Sequence, residues 1–293
     1  MPGFRQRLAA GGLVLVLALT GCGGGAEAET PLAAPERALP PGSTMERLRD
    51  AQRLVVGAKF DQPGFGMRGD DGTMTGFDVE MAQIVADELG IPETQIDWVE
   101  ATSGVREELL ESGRVDLVLA TYTIIDKRKE RVDFAGPYYL AGQQLMVGVA
   151  ENTITGPESL SDGETTVCTV RGSTPAVNIR RYLTEPSRQL RLVEGYQSCV
   201  DALRAGEVDA VTTDNVILTG FIARNEGEFK LAGEKFTREM YGIGVPKGDD
   251  DLRSFLNGVI ELSYRDGRYQ RAWAETGGRF DDALPQAPSI DPY

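Results

Sequence analysis

One unit of this chain occurs twice: a helix end, a glycine stop and a short apolar strand. Leu110-x-x-Gly113-x-Val115-Asp116-x-Val118 returns later as Leu203-x-x-Gly206-x-Val208-Asp209-x-Val211. Around each copy, β-rich runs alternate with helical spacing, the pattern of a mainly parallel sheet covered by helices. In the first half, 54–58 reads as a strand and Gly72 turns a hairpin. Asp78 is placed to cap a helix with Met81, Ile84, Val85 and Leu89 on one face. Gly90 stops that helix and Pro92 forbids its return. Strands at 96–99 and 115–120 follow, around a helix at 105–110. In the second half, a strand at 165–170 runs into Arg171-Gly172-Ser173-Thr174-Pro175, which opens another helix. The chain therefore reads as two α/β lobes of similar build. Ligands of such sheets sit beyond the C-terminal strand ends, so two facing lobes enclose a cleft lined by loops from both.

Composition narrows what that cleft can do. The 293 residues contain no His, which removes Ser-His-Asp and Cys-His catalysis, His metal sites and His-based pH switching. Neither a metal nor a cofactor is expected. Asp and Glu number 45 against 30 Lys and Arg, a formal charge of −15, which argues against nucleic acid or an anionic membrane surface as the main partner. At the N-terminus, Arg5 and Arg7 precede an apolar run at 13–19, short of the ~20 residues that span a bilayer. Residues 1–21 thus read as a signal peptide. The run ends in Leu19-Thr20-Gly21-Cys22, which resembles a bacterial lipobox and implies cleavage before Cys22 and lipidation of its thiol. Residues 22–47 read as the lipidated cysteine and a flexible tether, and 279–293 as an irregular tail. Export puts Cys168 and Cys199 in an oxidising compartment, where they can pair.

Three loops reach the expected cleft. Thr121, Tyr122 and Thr123, then Arg128, follow the strand at 115–120. Asp214 follows the strand at 208–212. Gly172, Ser173 and Thr174 follow the strand at 165–170, with Pro175 suited to the first helical position and Ser173 or Thr174 to the cap. A helix start attracts a carboxylate or phosphate, a guanidinium can clamp a carboxylate, and an acidic side chain opposite can hold an ammonium. Together these describe the two charged ends of an α-amino acid. Each has a plainer reading too. Arg128 lies in the charge run Asp126-Lys127-Arg128-Lys129-Glu130-Arg131, Ser-Thr-Pro is an ordinary helix cap, and Asp214-Asn215 an ordinary strand-end turn.

Gly76-Phe77-Asp78-Val79-Glu80-Met81, with Val85-Ala86 and Leu89, resembles the signature of the extracellular solute-binding proteins, family 3, the polar amino-acid receptors of ABC importers. The likeness continues through Thr123-Ile124-Ile125-Asp126-Lys127-Arg128, Val132-Asp133-Phe134, Pro137-Tyr138-Tyr139, Tyr241-Gly242-Ile243 and Pro246-Lys247-Gly248 to the last helix with Tyr269 and Trp273. It implies a type II periplasmic-binding-protein fold, two α/β lobes joined by two hinge strands. Lobe 1 is expected at 48–137 plus 242–278, the hinge strands at 138–142 and 237–241, and lobe 2, holding both Cys168 and Cys199, at 143–236.

The same resemblance assigns roles. Arg128 and Thr123 take the ligand α-carboxylate, with Gly172, Ser173 and Thr174 meeting it from lobe 2. Asp214 takes the α-ammonium, helped by Thr121. Lys59 stands where receptors for basic amino acids carry an acidic residue, and Gln62 and Thr102 where relatives place an aromatic or apolar ring. Arg171 flanks the lobe 2 loop. A polar and positive side-chain end suits glutamate or aspartate first and glutamine or asparagine second. Lys59-Phe60-Asp61-Gln62-Pro63-Gly64 and the cysteine pair are similar to glutamate-binding lipoproteins of Gram-positive bacteria. The expected partners are ABC permease subunits with a cytosolic ATPase, for a monomer anchored by lipid to the outer face of the cell membrane. Alternatives on this fold are an amino-acid sensor ectodomain and a cyclohexadienyl-dehydratase-like enzyme, but no residue stands spare as a general acid or base.

Overall fold

The computed structural model describes residues 38–280 and 285–291. The expected signal peptide, Cys22 and most of the tether lie outside the described residues. In chain order the strands are β1 (Leu54–Ala58), β2 (Asp61–Gln62), β3 (Gly66–Arg68), β4 (Met74–Thr75), β5 (Ile96–Glu100), β6 (Leu117–Val118), β7 (Val132–Ala141), β8 (Gln143–Gly148), β9 (Val167–Val170), β10 (Leu190–Val193), β11 (Ala210–Asp214), β12 (Phe229–Ala232) and β13 (Glu239–Pro246). The α-helices are α1 (Thr44–Ala51), α2 (Phe77–Leu89), α3 (Arg106–Glu111), α4 (Asp126–Lys129), α5 (Thr174–Asn178), α6 (Pro186–Gln189), α7 (Tyr196–Arg204), α8 (Asn215–Arg224), α9 (Asp250–Asp266) and α10 (Arg268–Glu275).

Each lobe is built on a five-stranded sheet. The first has the order β5-β1-β6-β13-β7, the second β10-β9-β11-β8-β12. In both, three parallel strands come first: β1 between β5 and β6, and β9 between β10 and β11. The repeated sequence unit falls on equivalent places. After α3, Gly113 turns at φ 65° and the chain enters β6; after α7, Gly206 turns at φ 68° and the chain enters β11. Such left-handed turns strain any residue with a Cβ, which is why both stops are glycine. The aspartates of the two copies also act alike. Asp116 accepts the Val55 N–H at 2.9 Å and Asp209 the Thr166 N–H at 2.7 Å, each pinning the start of the neighbouring central strand.

The chain passes between the sheets twice. Gly142 leads β7 straight into β8, and β13 returns beside it with Glu239 opposite Ala141 and Tyr241 opposite Tyr139. Under these crossings lies an aromatic core. Tyr139 stacks on Trp273 at 5.3 Å and on Tyr241 at 5.7 Å, while Phe65 meets Tyr139, Tyr241 and Trp273 edge-on. Residues on β7, β13 and α10 are thereby locked to one another, and each such pair adds about 0.5–1.5 kcal/mol beyond its buried area.

Three expectations need correction. The tether does not reach residue 47: α1 begins at Thr44, capped by Ser43, and buries Met45 and Leu48. Two apolar residues leave no visible periodicity in the sequence, yet they suffice to seat a short helix. Asp78 is not a cap. α2 begins at Phe77 behind Gly76, and Asp78 is buried in its first turn. The strand expected at 115–120 shortens to Leu117–Val118, because Asp116 spends its carboxylate on Val55 and Thr121 turns away. In the tail, the described residues 285–291 form no regular element, but Ile290 packs on the core and the Asp291 N–H reaches the Gly136 carbonyl at 3.0 Å.

Cys168 of β9 and Cys199 of α7 form a disulfide within lobe 2, with their Cα atoms 5.5 Å apart. It closes a loop of sequence separation 31, for which chain entropy gives a stabilisation of about 3–4 kcal/mol. Replacing both cysteines by alanine should lower the unfolding free energy in denaturant by that amount. Identical midpoints for the two proteins under non-reducing conditions would refute it.

Candidate functional site

Lobe 1 supplies most of the polar groups of the cleft. Lys59 follows β1 and is buried, its Nζ donating to Ser103 Oγ at 3.0 Å. Gln62 ends β2; its Oε1 accepts from Thr121 Oγ1 at 3.0 Å and its Nε2 is buried without a partner. Thr121 sits at φ 46°, a left-handed backbone seldom adopted by a β-branched residue. Asp78 holds it there. Its Oδ2 accepts the Thr121 N–H at 2.7 Å and its Oδ1 accepts from Tyr138 Oη at 2.5 Å. The carboxylate that the sequence offers to its own helix is thus used to fasten the loop at 121–123 to β7.

Arg128 is the buried member of its charge run on α4. Its Nη1 donates to the Thr123 carbonyl at 2.7 Å, its Nη2 to the Gly172 carbonyl of lobe 2 at 3.3 Å, and its Nε lies 3.2 Å from Glu107 Oε1. Burial, and then the neighbouring Arg106, push its pKa down to about 10. Thr123 Oγ1 lies 3.4 Å from Thr174 Oγ1 across the lobes.

From lobe 2, Gly172 turns at φ 75°, and a Cβ there would stand 2.9 Å from both Ser103 O and Gly104 Cα, so the lobes meet backbone to backbone. Ser173 is the cap of α5: its Oγ accepts the Ala176 N–H at 3.1 Å and donates to the Val170 carbonyl at 2.7 Å. Thr174 takes the first helical position and Pro175 the next. Asp214, at the end of β11, is buried. Its Oδ2 accepts from Tyr241 Oη at 2.6 Å, and its Oδ1 has no partner. Burial first, then Glu239, push this carboxyl up to about 7.

Sequence reasoning missed Arg106. It opens α3, is buried, and lies over the Tyr122 ring at 4.1 Å. Its Nη1 donates to the Ala120 carbonyl at 2.8 Å, and its Nε has no partner. Followed by Glu107 and Glu108, it looks like a solvated helix face, and the one available signal was its position at a helix start bordering the cleft.

Gln62, Arg106, Thr121, Thr123, Thr174 and Asp214 line one cleft, closed down to about 10 Å³. Arg128 borders an adjoining cavity of about 500 Å³ that shares Ser173 and Thr174 with it. Lys59 and Thr102 border another of about 230 Å³ on the side of Asp61 and Glu194. Arg171 stands outside. Its side chain is 59% exposed and pairs with Glu194 at 3.0 Å. Alternation along the strand explains this, since Val170 faces the cavity and its neighbour faces solvent. Among the described residues no cluster of Cys, Asp and Glu could hold a metal ion.

Comparison with known proteins agrees with this architecture. Residues 54–276 match the family model of the bacterial extracellular solute-binding proteins, family 3. Over 297 residues the chain is 40% identical to the glutamate-binding protein GluB of Corynebacterium efficiens, covering 97% of this chain and 95% of that protein. It is 36% identical over 231 residues to the ABC transporter glutamine-binding protein GlnH of Bacillus subtilis, covering 78% and 83%. Among solved structures, an ancestral arginine-binding protein bound to glutamine matches with a TM-score of 0.71 at 30% identity, over 77% of this chain and 97% of that one. The fold is the type II arrangement of two α/β lobes joined by two hinge strands.

The cleft charges predict a pH signature. Asp214 has a folded pKa of about 7 and an ordinary value near 3.8, so the folded protein holds the extra proton between them. Its contribution to stability therefore falls as pH rises from about 4 to 7. Lys59 is pushed down from 10.5 to about 7, chiefly by burial and then by Arg106, so its contribution rises with pH from about 7 to 10.5. In denaturant titrations, Asp214→Asn should remove the fall in stability as pH rises from 4 to 7, a difference on the order of 3 kcal/mol. Parallel pH profiles for the two proteins would contradict it.

Proposed function

This chain belongs to the bacterial extracellular solute-binding proteins, family 3, and we propose that it captures an acidic amino acid between its lobes for an ABC importer. The observation that carries the reading is the pair of unanswered charges in one cleft. Asp214 Oδ1 and Arg106 Nε are both buried, both without a partner, and opposite in sign. A zwitterion answers both, and a second carboxylate answers Lys59, whose one partner is the Ser103 hydroxyl.

In this reading Arg128 and Thr123 take the α-carboxylate from lobe 1, and Gly172, Ser173 and Thr174 close on it from lobe 2. Asp214 receives the α-ammonium, with Thr121 beside it. The side chain extends toward Arg106, Gln62 and Lys59, with Thr102 at the margin. Arg171, paired at the surface, has no part. Arg128 already meets Glu107, Asp78 is held by Thr121 and Tyr138, and Glu239 by Thr174 and Asn178, so the cations with capacity to spare are Arg106 and Lys59, which favour glutamate or aspartate; the open amide of Gln62 and the lowered pKa of Lys59 leave glutamine or asparagine as second choices. A relative 40% identical over nearly the whole chain is named as glutamate-binding, which supports the same order.

With about 10 Å³ between the lobes, a ligand enters only when they separate. We take the moving parts to be lobe 1, from α1 to about 137 plus 242–278, and lobe 2 at 143–236, turning at 138–142 and 237–241. The closed, loaded receptor then docks on membrane permease subunits driven by a cytosolic ATPase. Cys22, lipidated, holds it at the outer face of the cell membrane as a monomer. The protein releases its ligand unchanged.

Calorimetry with L-glutamate, L-aspartate, L-glutamine and L-asparagine tests this directly, and L-glutamate should bind most tightly. Arg128→Ala should weaken it by roughly 2–5 kcal/mol, because the ligand carboxylate is left without its guanidinium. Arg106→Met, similar in length but uncharged, should erase most of the preference for L-glutamate over L-glutamine. A preference that survives this change would remove Arg106 from the side-chain site.

A further inference from the structure

Helix α7 of lobe 2 has no cap of its own. Gly195 stands at its N-cap position, and no side chain of the helix's own lobe accepts from its first turn. The acceptor comes from the other lobe. Asp61 of β2 reaches across, and its Oδ2 takes the Tyr196 N–H at 2.7 Å. A carboxylate at a helix start is favoured both by the hydrogen bond and by the helix dipole. Gly195 makes the approach possible, since a Cβ there would lie 2.8 Å from the same oxygen.

Asp61 and Pro63 both meet lobe 2. The Pro63 carbonyl would stand only 2.3 Å from a Cβ on Gly220 of α8, so that helix is met backbone to backbone. Between them Gln62 points into the cleft. On the far side, α7 is bolted to β9 by Cys168–Cys199, and β9 runs into the loop Gly172-Ser173-Thr174. Tyr196, whose N–H Asp61 holds, lines the cleft with its side chain.

We infer that Asp61 is a latch: it caps a helix of the opposite lobe only when the lobes are shut, and so sets how readily the cleft closes and how slowly it releases its occupant. It acts without touching the ligand. A contact present in the closed form alone shifts the open–closed equilibrium by its own free energy. The latch gives capture a contribution that is independent of which amino acid is bound. Its ligand arm rests on the capture reading above; its ligand-free arm does not.

The test combines small-angle scattering of the ligand-free protein with stopped-flow fluorescence of L-glutamate release. Asp61→Ala should enlarge the radius of gyration of the free protein and speed release about fivefold, the usual worth of a lost helix cap, while association quickens in step with the larger open population. Asp61→Asn keeps an acceptor but not the charge and should stay within about twofold of wild type, which separates the latch from a field effect on Lys59. Gly195→Ala, by crowding the carboxylate, should reproduce Asp61→Ala and serves where that variant folds poorly. The order of preference among amino acids should not change. Wild-type scattering from both alanine variants, an Asn variant as impaired as Ala, or a reordered preference would overturn the latch. Scattering decides the matter even if wild type binds no L-glutamate, a result that would instead overturn the capture reading.

Discussion

Taking an ammonium, two guanidiniums and four carboxylates out of water in one place is the constraint around which this protein is arranged. Lys59, Arg106, Arg128, Asp78, Glu107, Asp214 and Glu239 are all buried. Burying an unanswered charge costs several kcal/mol, so each must find partners or become a binding group. Glu107 lies against Arg128, and Glu239 accepts from Thr174 and Asn178. The other five divide accordingly. Asp78 has two donors on its two oxygens and Arg128 has two carbonyls and a carboxylate, so both also hold backbone in place. Lys59 has one hydroxyl, Asp214 one phenol, and Arg106 one carbonyl and a ring face. The least satisfied groups are of both signs and border the cleft or the cavity beside it. On the proposed capture, an amino acid with an acidic side chain answers them together, and incomplete pairing here is then a mark of binding and not a defect of packing.

How much of this was legible in the sequence depended on whether a signal was local. The recurrence of Leu-x-x-Gly-x-Val-Asp-x-Val could be read because a glycine stop and a buried strand are decided within nine residues. The structure adds that even the two aspartates perform the same task. Asp78 departs from its local pattern for the complementary reason. Its position suits a cap, but its partners come from residue 121 and residue 138, and no local rule foresees a carboxylate that prefers a distant N–H to its own helix. Arg106 and Arg171 show the same limit from two sides. Both lie beside a loop of the cleft, and only the direction of the side chain separates the buried one from the one paired with Glu194 at the surface.

The crossings between the lobes explain how a cleft can be both rigid and mobile. Tyr139 and Tyr241 belong to the aromatic core with Phe65 and Trp273, so the crossing strands are gripped up to those residues by lobe 1. On the proposed rotation, flexing is confined to the short stretch beyond that grip. There a Cβ on Gly142 would stand 2.7 Å from the Thr237 carbonyl, and the two crossings touch backbone to backbone. Glu239, at the start of β13, accepts from Thr174 Oγ1 at 2.9 Å and from Asn178 Nδ2 at 3.2 Å, which ties the start of α5 to the same stretch. Tyr241 meanwhile leaves the aromatic core by its hydroxyl alone, to hold Asp214 of lobe 2 at 2.6 Å. The carboxylate proposed to take the ammonium is therefore oriented by a residue whose own ring cannot turn. Its entropy of ordering is spent when the chain folds and not when ligand arrives, and that is the condition under which a single charged contact adds most to affinity.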